Sequence, residues 1–327
     1  MRAVRHPWAV LSPLAVVIGT LSACGSGAPV VGPTPSQAQN TAITFVLTHN
    51  KLPLEGGTLR QLDAATQRVK PIAAAAAAGA APSAQSGATT HIDGVKAYVP
   101  HQTDYPMEFL ATVDTTAPDI GTFHGVLFFT MSAVDAHWLA VDYVVLPPAT
   151  VPPVFATDAE GYAEKVNPDS FGGFAKNVGL VPVTYVHDLT PGAVVIDDSF
   201  APGPLPQGAR DQISGVAGLL SRAGIAVDFN ATPVNGSLAA YKTKDGNAFA
   251  IFDYAGEFAL AGKNPGDTFT WGPGEPQQRS GLTAGRYKNL TIHLGGSTAI
   301  IDPAGSAGKL QAIGDSGDIV AAGGGSL

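Results

Sequence analysis

The sequence predicts an α+β protein built from two tandem units, each a helix followed by a curved antiparallel sheet. Residues 59–69 and 207–222 each place apolar side chains on one face of a helix. Each helical segment is followed along the chain by β-rich runs, the clearest of which are residues 123–131 and 138–146. A helix and then a meander, repeated once, predicts sheets that pack against helices.

In the first half, residues 39–49 fit either a helix or a Thr-rich strand. Thr58 can cap a helix over residues 59–69 that Pro71 ends or kinks, and the alanine-rich segment that follows is either a frayed helix or a loop. Strands are predicted at residues 107–114, 123–131 and 138–146. The last two are apolar almost throughout, so we expect this hairpin to be covered on both faces.

Four prolines within residues 147–153 deny the chain both sheet hydrogen bonds and helix. We therefore place a domain boundary there, with an N-terminal α+β domain at 39–150 and a C-terminal α+β domain at 151–327. The second half predicts a helix near 158–166 and another at 207–222, which Gly224 ends. Strands are predicted at 225–229, 238–243, 248–254, 287–292 and 310–313, with an Asp-Gly hairpin turn at 244–247.

Residues 1–23 have the organisation of an export signal. Arg2 and Arg5 are followed by an apolar run at residues 8–21, whose 14 residues are fewer than the roughly 20 that cross a bilayer. Leu21-Ser22-Ala23-Cys24, which holds the one cysteine of the chain, resembles the processing site of bacterial lipoproteins. The resemblance implies cleavage before Cys24, a diacylglycerol on its sulfur and a membrane partner reached through that lipid. Residues 24–38 then form a flexible tether.

Charge excludes some classes of partner. The whole chain has a net charge of −8, and removal of the leader leaves 16 basic against 26 acidic residues. Lys and Arg are scattered, which argues against nucleic acid and against electrostatic binding to anionic lipid. With a single cysteine the exported domain has no disulfide and depends on core burial.

Gly314-Asp315-Ser316-Gly317 is similar to the nucleophile loop of chymotrypsin-like proteases. The histidine context and the disulfides of those enzymes are missing, and Ser316 lies only 11 residues from the C-terminus. We therefore expect a tight turn between strands at 310–313 and 319–320 rather than a catalytic serine.

Other polar pairs predict little chemistry. His101 with Asp104, and His187 with Asp188, have the residue types of a general base but are typical of solvated loops. Asp197-Asp198 is more typical of a turn cap than of a cation site. The histidines are not at metal-ligand spacing, so we predict no catalytic residue, no metal and no cofactor.

Aromatic residues are the better candidates for a binding site. In a cone-like domain the concave face of the sheet and its helix enclose a pocket that such side chains can line. The competing interpretation is a filled aromatic core. The candidate pocket residues are Phe128, Trp138, Tyr143, Phe252, Tyr254 and Trp271.

Four segments resemble an uncharacterised family of actinobacterial exported proteins: residues 105–111, the hairpin that contains Trp138, residues 200–205 and residues 312–317. The resemblance implies two domains of the cystatin-like or NTF2-like type and supplies no activity.

The sequence favours a lipoprotein at the outer face of the cell membrane that binds a peptide, wall fragment or partner protein without catalysis. The alternative is an exported hydrolase whose active site the sequence does not locate. A third interpretation is a structural subunit of a membrane-associated assembly.

Overall fold

The protein has an α+β fold, as the sequence predicts, with two antiparallel sheets that each pack against helices. A computed structural model describes residues 32–48, 52–78, 91–117, 121–169, 173–191 and 199–326. The predicted export signal, Cys24 and Asp197-Asp198 lie outside the described residues. Within the described residues, no helix is long and apolar enough to cross a membrane.

The first half forms a four-stranded sheet whose strands follow sequence order. Its helices are α1 (Pro35–Thr48) and α2 (Gly57–Ala78), with a single 3-10 turn at Leu52–Leu54 between them. Its strands are β1 (His91–Tyr98), β2 (Met107–Ala117), β3 (Gly121–Met131) and β4 (Leu139–Leu146).

Both helices differ from what the sequence suggested. Thr34 and Gln37 exchange hydrogen bonds of 2.8 and 3.3 Å between backbone N–H groups and side-chain oxygens, a capping box that begins α1 inside the predicted tether. The ambiguous segment 39–49 is therefore helical as far as Thr48, the last residue described there. Helix α2 extends beyond its predicted bounds, since it does not end at Pro71 and continues to Ala78. Of the two alternatives for the alanine-rich segment, the helix is therefore correct as far as Ala78.

The second half forms a six-stranded sheet with the order β10-β9-β7-β5, in which β6 also pairs with β7 and β8 with β9. Its helices are α3 (Val181–Leu189), preceded by a 3-10 turn at Val178–Leu180, α4 (Gln207–Arg222) and α5 (Glu275–Ser280). Its strands are β5 (Ile225–Pro233), β6 (Ala239–Lys242), β7 (Ala248–Gly262), β8 (Phe269–Trp271), β9 (Gly285–Asp302) and β10 (Gln311–Ser326).

Alternating side chains of the first sheet enter two different cores. One set, including Phe109, Leu127 and Phe129, packs with Phe45 of α1. The other set packs against the second sheet, and its members are Leu110, Val126, Phe128, Val144 and Leu146. The prediction that the apolar hairpin is covered on both faces is therefore confirmed.

The two sheets share an apolar layer. The second half contributes Phe155, Tyr241, Phe249, Ile251 and Ala299, so residues on both sides of the predicted boundary lie in one buried cluster. On its other face, β7 directs Ala250, Phe252 and Tyr254 towards α3. The order of layers is helix, sheet, sheet, helix. The boundary at 150/151 as a line between separately folding domains stays a prediction.

Three polar side chains are buried in this layer. Asp142 of β4 is 1% exposed, Asp253 of β7 is 4% exposed, and Ser297 of β9 is 1% exposed. Ser297 Oγ lies 2.7 Å from Asp253 Oδ1 and 3.0 Å from Asp142 Oδ1. The single hydroxyl proton can serve only one carboxylate, so the two acids need a further proton between them.

The surroundings of Asp142 explain why it binds that proton. Burial raises the pKa of Asp142 well above its usual range, and the hydrogen bond and negative charge of Asp253 raise it further. Asp142 therefore holds a proton in the folded protein that the unfolded chain releases above about pH 4.

The predicted helix at 158–166 is wrong. Asp158 Oδ1 accepts hydrogen bonds of 2.9 Å from the backbone N–H groups of Glu160 and Tyr162, which closes a turn at Gly161 with a φ of 92°. The chain that follows pairs with β6 instead, through Val166 N to Ala240 O at 2.9 Å. Turn hydrogen bonds at Asp158 and pairing with a distant strand therefore determine the structure of this segment.

We predict that Asp142→Asn flattens the pH dependence of stability. Because the folded state binds a proton that the unfolded state has lost, the stability from Asp142 declines as pH rises above about 4. Asparagine keeps the shape and removes the titration. The variant should therefore lose less stability between about pH 5 and pH 8 than the wild type, measured by chemical denaturation.

The matched control is Asp228→Asn on the exposed side of β5, which should leave the pH slope unchanged. Burial also raises the pKa values of Asp302 and Asp315, so these two residues contribute a smaller decline of stability with rising pH in both variants. Identical slopes for wild type and Asp142→Asn would contradict the shared proton.

Candidate functional site

Helix α4 lies over the second sheet without being buried in it. Its apolar face carries Ile213, Val216 and Leu220, yet none of its residues is buried. The helix contacts β5 and α3, and the chain leaves it at Gly224, whose φ of 82° suits a residue without a Cβ. An amphipathic helix held in this way leaves space between its apolar face and the sheet.

That space is a cleft of about 500 Å³. Its walls come from α4, from β7 to β10 and from the start of α5. Most of its lining is apolar, and the larger members are Ile213, Val216, Leu220, Phe258, Trp271, Ile292, Leu294 and Ile319. Its polar members are Gln212, Tyr254, Asp315 and Asp318.

Asp315 of β10 is the polar centre of the cleft. Tyr254 Oη donates a hydrogen bond of 3.0 Å to Asp315 Oδ1, and Tyr185 Oη of α3 donates to Oδ2. Burial raises the pKa of Asp315, although both tyrosine hydrogen bonds act in the opposite direction. Burial, followed by the nearby Asp315 charge, holds the pKa values of both tyrosines well above their usual range, so they remain donors.

Two glycines make room for this arrangement. A Cβ on Gly296 of β9 would lie 2.3 Å from the ring of Tyr254, and one on Gly317 would lie 2.8 Å from its hydroxyl oxygen. Larger residues at either position would displace Tyr254 from Asp315. The glycines therefore serve close packing across strands rather than turns.

The predicted tight turn at Gly314-Asp315-Ser316-Gly317 is wrong, because these residues lie within the continuous strand β10. Alternation along the strand sends Asp315 to the cleft and Gly314 and Ser316 to the first sheet. A Cβ on Gly314 would lie 2.6 Å from Val144, and Ser316 Oγ accepts a hydrogen bond of 3.2 Å from Val145 N. The serine thus links the two sheets and is directed away from Asp315.

The six aromatic candidates do not lie together. Tyr254 and Trp271 line the cleft. Phe128 belongs to the layer between the sheets and Phe252 to the core beneath α3. Tyr143 packs over Gly125, and Trp138 lines a separate groove of about 350 Å³ beside α1.

The histidines and acids that are neighbours in the sequence have other partners in the structure. His101 Nε2 contacts Asp158 at 2.7 Å rather than Asp104. Asp188 forms an ion pair with Arg210 of α4 rather than with its neighbour His187. Among the described residues, no group of three or more His, Cys, Asp or Glu side chains could hold a metal ion.

Sequence reasoning missed Tyr185 and the role of Asp315. The two lie 130 residues apart, so no local spacing connects them. The amphipathic face of α4 was found, but the sequence did not show that the face would remain unburied.

We predict that Gly296→Ala lowers the free energy of unfolding by about 1–3 kcal/mol, the usual cost of forcing an extra carbon into a packed site. The added Cβ meets the Tyr254 ring, which cannot move without losing Asp315. Denaturant midpoints measure the effect. Gly323→Ala in β10 is the control, because a Cβ there has no neighbour within 4 Å and should cost nothing. Equal stabilities of the two variants would contradict the close packing.

Comparison with known proteins gives a family without an activity. Residues 40–324 match the model of a family described as a domain of unknown function (DUF8094). No curated protein and no solved structure matches the chain. The matched range covers both sheets, apart from the last two residues of β10, and includes every residue that lines the cleft. The chain belongs to the DUF8094 family.

Proposed function

We propose that the protein is a lipid-anchored envelope protein that binds an apolar ligand in the cleft beneath α4 and does not transform it. The observation that carries the proposal is the unburied apolar face of α4 above an apolar cavity. A helix that served only to cover the core would bury Ile213 and Leu220 fully. Here those side chains face a space of about 500 Å³, within the range of small-molecule sites.

The chemistry around Asp315 supports binding more than catalysis. Its described partners are two tyrosine hydroxyls whose pKa values are raised, so they act as fixed donors rather than as bases. Ser316, the candidate nucleophile of the sequence, is directed to the opposite face of β10. The hydrolase alternative therefore has no observation in its favour among the described residues.

Anchoring is the second part of the proposal and rests on the sequence around Cys24. A lipid on Cys24 would hold the protein at the outer face of the cell membrane, within reach of envelope ligands or protein partners. The resemblance to actinobacterial exported proteins and to the NTF2-like or cystatin-like type agrees with this placement and stays a proposal.

The cleft can be tested by filling it. Val216 lines the cleft and is 40% exposed, whereas Leu219 on the same helix is 62% exposed and outside it. The probe is N-phenyl-1-naphthylamine, an uncharged apolar dye whose fluorescence rises on burial. Val216→Trp should weaken its binding by about tenfold or more, because the indole occupies the space.

Leu219→Trp is the matched control and should bind the dye like the wild type. Equal binding by both variants, or no binding by the wild-type protein, would contradict a ligand site beneath α4.

Anchoring is tested separately. Cys24→Ser removes the thiol that the lipid would need, so the variant should leave the membrane fraction and retain its melting temperature. The measurement is cell fractionation of the full-length protein. Sedimentation of the variant with membranes would show that the anchor lies elsewhere.

A further inference from the structure

We infer that the ligand of the cleft is an amphiphile with a positively charged head, such as an alkylammonium group, which binds Asp315 while its apolar part lies beneath α4. This inference rests on the proposed function and deepens it, because it names the chemical class that the cleft selects.

The charges around the cleft point to a cation. Asp315 and Asp318 are the charged residues that line it, and among the described lining residues none is Lys, Arg or His. Asp318 is already paired, since its Oδ2 lies 2.9 Å from Nη1 of Arg279. The described partners of Asp315 are the neutral hydroxyls of Tyr185 and Tyr254. The cleft therefore holds one carboxylate, Asp315, whose charge has no cationic partner among the described residues.

The free-energy cost of burying the Asp315 carboxylate also supports a cationic ligand. A charge removed from water is expensive unless an opposite charge compensates it. Burial accordingly raises the pKa of Asp315 even though two hydrogen bonds favour its ionised form. A bound ammonium group would supply the missing charge.

Asp315 has acceptor sites left for direct hydrogen bonds with an ammonium group. A carboxylate can accept about four hydrogen bonds, and the two tyrosines supply one donor each. The rings of Tyr254 and Trp271 also line the cleft, and aromatic faces attract cations within about 6 Å. An anionic head would instead be repelled by the charge of Asp315, and no described lining residue is a cation that could bind it.

The experiment ranks three probes that share one chain and differ in the head. Decylamine, decanol and decanoate compete with the naphthylamine dye for the full-length protein at about pH 8, where an alkylammonium is still charged. The wild type should bind decylamine about tenfold more tightly than decanol, and decanoate most weakly. Asp315→Asn can still accept from the tyrosines through its amide oxygen, and it should bind the amine and the alcohol alike.

Asp228→Asn on the exposed side of β5 is the control and should keep the preference for the amine, because Asp228 lies outside the cleft. Equal binding of decylamine and decanol to the wild type would overturn the inference and leave the apolar site standing. Failure of all three probes and of the dye would overturn both. If Asp315→Asn does not melt cooperatively, the ranking of the three heads on the wild type and on Asp228→Asn decides.

Discussion

Face-to-face packing of the two sheets is the constraint on which the rest of the structure depends. Phe249 and Ile251 must face the first sheet, where they meet Phe128 and Val144. Because side chains alternate along a strand, this fixes Tyr254 on the opposite face of β7, beneath the helices. The position of the cleft follows from the register of a strand whose first half is buried on both sides. A shift of one residue would exchange the core with the cleft.

Strand β10 packs closely against β4 of the first sheet and against Tyr254 of β7, and glycines make both contacts possible. Gly314 lets β4 lie against the strand, and Gly317 with Gly296 lets Tyr254 reach Asp315. At these positions glycine allows backbones and rings to pack closely together and does not form a turn. The same four-residue segment that resembles a protease loop is explained residue by residue as a strand between two layers.

The sequence was informative where structure is decided locally and uninformative where it is decided at a distance. The apolar periodicity of the sequence predicted most of the strands and helix α4. The nearly unbroken apolar run of the β3–β4 hairpin predicted that both of its faces would be covered. The false helix at 158–166 had a helical pattern, but its backbone groups found partners in a turn and in β6. The candidate site depends on Tyr185 and Asp315, 130 residues apart. To pair them, the sequence would have had to show both the packing of α3 on the sheet and the continuity of β10, which the expected turn interrupted.

Two acidic sites within the described residues meet the cost of removing a carboxylate from water in different ways. Between the sheets, Asp142 and Asp253 meet across a serine, and a retained proton removes one charge from an interior that solvent does not reach. At Asp315 two neutral donors are arranged around a carboxylate that borders an open cavity. A group that served stability alone would be cheaper as an amide or as an apolar residue. Asp315 instead remains an acid at the border of a cleft, and that difference separates the candidate site from the structural pair.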